Sequence, residues 1–177
     1  MRRFAIAISA LLLFAGCGRD GESSGESARG SAVRIGGGYV TDAGEFDAFV
    51  PDIRTALPRF ASFGKKTGRN VDLLDGKGGL IGRLYLAPAG KYPRTEGFNG
   101  YVEVAVILTP DDRIAGVAVG RNGETPRWLE RVRKAGFLTR WNGRTVGAAA
   151  ELEIDAVTRA TYSSTAIRDE VRAILCR

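Results

Sequence analysis

The sequence contains no histidine among its 177 residues. That removes the commonest metal ligand and the commonest general base near neutral pH. It also excludes a Cys-x-x-Cys-His haem attachment, a Ser-His-Asp triad and a His-Glu-x-x-His zinc site. Any chemistry must rest on a bound organic cofactor, on carboxylates or on hydroxyls. No catalytic residue and no metal site are expected. Cysteine is nearly as scarce, with Cys17 and Cys176 alone. Nor is there a dense basic stripe interleaved with aromatics. The 26 basic and 20 acidic residues give a net charge of +6, but the excess is spread along the chain. Nucleic-acid binding needs a clustered electrostatic footprint and is not expected. A mildly basic surface suits an anionic membrane or an acidic redox partner instead. No internal repeat is present. The apolar run from Phe4 to Phe14 falls well short of the ~20 residues that span a bilayer.

What is present begins with a leader. Arg2 and Arg3 precede that apolar run, and small residues follow it, the layout of a secretory signal over residues 1–16. Ala15 and Gly16 directly before Cys17 resemble a bacterial lipobox, with Phe14 where leucine is more usual. On this reading Cys17 becomes the first mature residue and carries acyl chains, and two or more chains suffice for stable anchoring. The alternative is an ordinary signal peptide with Cys17 incidental. Lipidation would leave Cys176 without an internal partner, a small apolar residue on the last turn of a helix. Residues 17–37 are rich in Gly and Ser and read as a flexible tether, with a span on the order of 25 Å for about twenty residues. The expected location is the extracytoplasmic, periplasmic side of a bacterial envelope, held by the lipid anchor.

The folded domain is expected over residues 38–177. Residues 46–63 show a short helical pattern interrupted by Pro51 and Pro58. Two apolar runs flank Gly76-Lys77-Gly78-Gly79 between residues 70 and 87 and predict a β-hairpin. In residues 101–109 the pattern places Val102, Val104, Val106 and Leu108 on one face of a strand. Pro110 to Arg113 form a turn, and residues 113–120 return as a second strand. Arg127 to Ala135 fits a short helix with Trp128, Leu129 and Val132 inward, ended by Gly136. Residues 151–157 predict another strand. In the last segment Ile167, Val171, Ile174 and Leu175 recur at helical spacing. Central strands with helices before and after imply an α+β fold, a mostly antiparallel sheet with flanking helices. Trp128 and Trp141 are expected in the core.

The stretch Asp155-Ala-Val-Thr-Arg-Ala-Thr-Tyr-Ser-Ser164 joins the last predicted strand to the last helix. Ser163 and Ser164 stand where an N-cap is wanted, because their oxygens can accept from free backbone N–H groups of a first helical turn. That helix start is equally an anion site, since its N–H groups and dipole favour a phosphate. Capping accounts for one or two alcohols but leaves Thr158 and Thr161, with Arg159 between them, unexplained. Both readings stand on composition alone.

Asp155, Thr158, Ala160 and Thr161, in that spacing, resemble the flavinylation motif of the FMN-binding domain family. Such domains occur in the G and C subunits of Rnf and sodium-pumping quinone reductase complexes. Gly97-Phe98-Asn99-Gly100-Tyr101 before a valine-rich strand is similar to the family's Gly-Tyr entry. Glu124-Thr125-Pro126 resembles its Glu-Thr-Pro loop, and Phe137-Leu138 with Trp141-Asn142-Gly143 the segment after it. The likeness covers about residues 78–175. It implies FMN held covalently through a phosphoester on Thr161, installed from FAD by an FAD:protein FMN transferase. It further implies that Asp155, Thr158, Ala160 and Thr161 are read by the transferase, and that Thr158, Arg159, Ala160, Ser163 and Ser164 lie by the phosphate. Glu124, Thr125 and Pro126 would lie against the isoalloxazine; without a flavin they read as a polar loop, with Pro126 opening the next helix. The sequence departs from the family pattern at two places, with Arg159 and Arg127 where Gly is usual. A glycine there would serve a positive φ or a close approach; an arginine beside a phosphodiester supplies a charge-assisted partner.

The resulting expectation is a lipid-anchored, covalently flavinylated electron carrier exchanging electrons with a membrane redox complex or other donor and acceptor. The alternatives are a flavin reductase component serving a soluble or extracellular acceptor, and a cofactor-free scaffold lipoprotein.

Overall fold

A computed structural model describes residues 44–88 and 95–176. The leader, Cys17 and the tether therefore lie outside the described residues. Among the described residues, no helix is long and apolar enough to cross a membrane.

The sheet has five strands in sequential order, β1 Phe60–Thr67, β2 Asn70–Asp75, β3 Leu80–Leu86, β4 Val102–Leu108 and β5 Ile114–Asn122. Every neighbouring pair is antiparallel, as expected of the α+β fold. The predicted hairpin is β2–β3. In its turn the Asp75 carboxylate accepts from the N–H groups of Lys77 and Gly79, at 2.9 and 2.8 Å, and Gly78 takes the positive φ of 79°.

The two faces of β4 are both buried. Val102, Val104, Val106 and Leu108 face one hydrophobic cluster with Ile114, Val117 and Val119 of β5. Ala105 and Ile107 face the other, with Val71, Leu73 and Leu84. Helix α1, Val50–Ala56, covers the second face through Ile53, preceded by a single 3-10 turn at Asp47–Phe49 that contributes Phe49. Helices α2 (Pro126–Lys134), α3 (Val146–Ala150) and α4 (Thr161–Leu175) belong to the first face. There α4 packs against β4 through Ala166, Ile167, Val171, Ile174 and Leu175. Each large aliphatic side chain buried this way contributes about 1.5–3 kcal/mol.

The layers are tied across the β5 edge. Arg133 of α2 donates Nε and Nη2 to the two carboxylate oxygens of Asp52 on α1, each at 2.9 Å. Asp52 also accepts from the Val119 N–H at 3.0 Å, so a carboxylate occupies an edge position that could otherwise template another strand.

Four expectations are corrected. The helical pattern assigned to residues 46–63 ends at Ala56, and Phe60 begins β1. Pro58 separates the two, and Phe60 and Phe63 turn their rings together at 5.0 Å. Residues 151–157 form no strand; Ile154 and Val157 are buried, but the segment is not part of the five-stranded sheet. Residues 146–150, without a prediction, form α3. Helix α4 starts at Thr161 with Ala160 as its N-cap, so Ser163 and Ser164 lie inside its first turn and are not caps. Trp141 is buried against Phe137 in an edge-on pair at 5.5 Å. Trp128, by contrast, is only half-buried: it packs against the margin of the first cluster and lines a cleft.

Candidate functional site

The site is built where three segments meet: the Gly97–Tyr101 loop, the Glu124–Pro126 loop and the start of α4. Gly97 and Gly100 pair across a tight turn, with Gly97 N–H donating to the Gly100 carbonyl at 2.8 Å. A Cβ on Gly97 would lie 2.5 Å from a Glu124 carboxylate oxygen, so only glycine lets the loop approach. That carboxylate is buried and is the hub. Its Oε1 accepts from the Asn99 N–H at 2.9 Å, and its Oε2 accepts from the Ser163 hydroxyl. Asn99 Nδ2 reaches Thr125 Oγ1 at 3.3 Å. Thr125 is the N-cap of α2 and Pro126 its first residue, where a missing N–H costs nothing. Glu124 therefore joins all three segments.

Before α4 the chain turns sharply. Ala160 N–H donates to the Val157 carbonyl at 2.9 Å, and Arg159, at the third turn position, has φ of +65°. Glycine is favoured there because a Cβ in this region costs about 1–2 kcal/mol. Ser164 holds the turn from both ends: its Oγ accepts from Val157 N–H at 2.9 Å and donates to the Ala160 carbonyl at 2.8 Å. Ser164 N–H is also engaged, with the Ala160 carbonyl at 3.0 Å. With both serine hydroxyls committed elsewhere, no side chain caps α4. Its first N–H groups have no intrahelical acceptors, and they carry the positive end of the helix dipole.

Around this helix start lies a cleft of about 250 Å³ lined by Phe98, Trp128 and residues 159–163. Thr161 is exposed at the cleft, the first residue of the helix. Phe98 and Tyr162 face one another at 6.3 Å and stay 61% and 67% exposed. Asp155 and Thr158 are exposed near the turn, and Arg140 donates to the Asp155 carbonyl at 3.2 Å. The structure thus brings Arg159, Ala160, Thr161 and Ser163 to one cleft. Glu124 and Ser164 sit beneath it as supports, and Pro126 and Thr158 lie outside its lining. Phe98, Trp128 and Tyr162 were not among the residues assigned from sequence. An aromatic inside a glycine turn and one beside Thr161 were the available signals.

A flat apolar ring system carrying an anionic group suits this arrangement. The aromatic side chains offer faces to a planar ring, and the uncapped helix, Arg159 and Thr161 offer polar and cationic groups to a phosphate. The cleft is slightly below the ~300 Å³ at which small-molecule pockets begin, so part of such a ligand would remain outside it. These features define an α+β domain for an anionic, planar aromatic ligand.

The comparison with known families names that ligand. The model of the FMN-binding domain family matches residues 97–175, a segment that contains all three parts of the site. Residues 97–175 thus match an FMN-binding domain, the family the sequence resembles, and the match supports a flavin as the ligand. No curated protein and no solved structure matched.

Proposed function

We propose that this protein is a lipid-anchored extracytoplasmic flavoprotein that carries FMN covalently on Thr161 and transfers electrons in an envelope redox chain. The observation that carries the reading is an exposed Thr161 at the first position of an uncapped helix, beside an aromatic cleft. In the attachment step, Thr161 Oγ1 forms a bond to the FMN-side phosphorus of FAD, the pyrophosphate bond breaks and AMP leaves. The hydroxyl proton passes to a base of the transferase, whose magnesium offsets the phosphate charge. Asp155 and Thr158, exposed on the approach to the turn, are the surface that enzyme would read.

Each local residue then has a distinct task. The free N–H groups of the first α4 turn and the Arg159 guanidinium hold the phosphodiester charge. Ser164 keeps the turn closed, and Glu124 holds Ser163 and the Asn99 loop in register. Phe98, Trp128 and Tyr162 limit water at the ring. When bound, the flavin supplies the one- and two-electron chemistry, while the protein tunes its potential through these contacts. Beyond the cytoplasm a lost flavin is hard to replace, which favours a covalent bond. Among the described residues the cleft lining contains no carboxylate to serve as an acid or base, which supports electron transfer over small-molecule turnover.

The test is intact mass of the chain co-expressed with a flavin transferase, beside Thr161→Ala. A gain of one FMN that survives denaturation and disappears in the variant is expected. A flavin released on denaturation would remove the covalent assignment. No gain in either chain would favour the cofactor-free scaffold.

A further inference from the structure

Most arginines of this domain that meet a carboxylate do so away from the cleft. Arg83 pairs with Asp72 and Asp112, Arg113 with Asp111, Arg121 with Glu103, Arg133 with Asp52, Arg168 with Asp169 and Arg172 with Glu153. The cleft differs. Arg127 and Arg131 lie over the Trp128 ring, their guanidinium carbons 5.4 and 5.6 Å from its centroid. Trp128 lines the cleft, and so does Arg159. Among the described residues none of these three arginines has an ion pair. Glu130, the acid on the same helix, is taken by Lys134 at 2.7 Å.

We propose that Arg127, Arg131 and Arg159 form a cationic collar that docks an acidic patch of a redox partner protein at the cleft mouth. Three arginines at one cleft without a carboxylate partner leave that rim basic, and a basic rim attracts an external anion. A phosphate on Thr161 would engage Arg159 and leave the two arginines of α2, so the collar goes beyond the cofactor site. The same cleft carries exposed Phe98 and Tyr162, and arginine with aromatics is the composition enriched at protein interfaces. Stacking on Trp128 holds the two guanidinium groups in place, which reduces the entropy lost on docking. A concave rim concentrates the field at one point, which suits a protein patch; an anionic membrane attracts basic groups spread across a face. The purpose of the collar, electron transfer, rests on the function proposed above; its binding of acidic protein does not.

The experiment uses the full chain in a Cys17→Ser background, so that no acyl chain contributes. Flavin-free protein is titrated with short poly-L-glutamate and followed by tryptophan fluorescence. Saturable binding is expected, weakened about tenfold in the Arg127→Gln/Arg131→Gln/Arg159→Gln variant and unchanged in Arg54→Gln/Arg59→Gln. Equal binding by the triple variant, or equal weakening by the Arg54/Arg59 control, would overturn the collar. Binding to phosphatidylglycerol vesicles through the same arginines, without polyglutamate binding, would also overturn it in favour of a membrane. In flavin-loaded protein, oxidation by ferricyanide should slow with added salt while oxidation by hexaamminecobalt(III) quickens, and both slopes should flatten in the triple variant. Salt slopes unchanged by the triple variant would overturn the collar's part in steering. A chain that binds polyglutamate through the collar yet gains no FMN would overturn the flavin carrier and leave the collar intact.

Discussion

Helices α3 and α4 begin in opposite ways. The five-residue α3 opens with Thr145, whose hydroxyl accepts from the Ala148 N–H at 3.4 Å. The fifteen-residue α4 opens with Ala160 and has no side-chain cap, although Thr158, Thr161, Ser163 and Ser164 all lie within four residues. The short helix spends its one hydroxyl on its own terminus. The long helix directs its serines to Glu124, Val157 and the Ala160 carbonyl instead. An N-cap is worth about 1 kcal/mol, and α4 forgoes it because its buried apolar face supplies far more. What remains is an exposed, positive helix end at the cleft. A helix held by tertiary packing can leave its terminus open for a ligand.

This contrast can be tested by disturbing each terminus in turn. Ser164→Ala should be the most damaging to stability, because it leaves the buried Val157 N–H without a partner and releases the turn. A loss of about 2 kcal/mol is expected in chemical denaturation. A loss below that of Thr145→Ala would mean that Ser164 does not hold the turn. Arg159→Gly should act in the other direction, raising stability by about 1 kcal/mol through relief of the positive φ, partly offset by glycine's unfolded-state entropy. The same substitution should weaken anion binding at the helix start, readable as a smaller stabilisation by added phosphate. Should Arg159→Gly destabilise, the guanidinium holds the turn through contacts stronger than the strain. Thr145→Ala should cost less than about 1 kcal/mol, because its bond is long and exposed, and should leave the flavin mass gain unchanged.

The smallest effect concerns the β2–β3 turn, where Asp75 does for a hairpin what Thr145 does for α3. Backbone N–H bonds from Gly79, then Lys77, hold its carboxyl below the ordinary value of 3.8, and desolvation only partly opposes them. A lowered folded-state pKa means that the stabilisation is present above about pH 3.8 and is lost as pH falls through the folded value. Asp75→Asn should therefore lower stability slightly at pH 7 and flatten the acid limb of the stability curve below pH 4. An unchanged acid limb would show that the turn is set by Gly78 alone.

The parts legible from sequence were those where one local pattern decides. The alternation of valines in β4 marks its face toward the first cluster, the residues between β2 and β3 mark a turn, and the spacing of Ile167, Val171 and Ile174 marks the buried face of α4. Strand β1 was hidden because register shifts at Phe60/Ser62 and Phe63/Lys66 break its period, and most of this edge strand is exposed. Residues 151–157 misled for a complementary reason. Leu152, Ile154 and Ala156 are buried or half-buried while Glu151, Glu153 and Asp155 are exposed, so the alternation is real. Alternation reports burial, however, not hydrogen-bond partners. The β5 edge is already occupied, by Asp52 at Val119 and by the chain at Gly143–Arg144 beside Ile114.

At the site, the resemblance of residues 155–161 to a flavinylation motif and that of Glu124-Thr125-Pro126 to the family's loop could be read without a structure, because spacing along the chain defines them. Their meaning for one another could not. Asn99, Glu124 and Ser163 are far apart in sequence, and only packing of α4 on β4 brings a buried carboxylate between the other two. Arg159 illustrates the division most directly. The sequence showed an arginine where a glycine is usual, and hence a choice between a strained backbone and a useful charge. The fold shows the backbone at φ +65° with Arg159 lining the cleft, so the costly conformation is adopted and the charge stands at the cleft. Local sequence determines which conformations are costly; the burial of α4 and the Ser164 bonds decide which cost the protein bears, because only tertiary contacts can offset it.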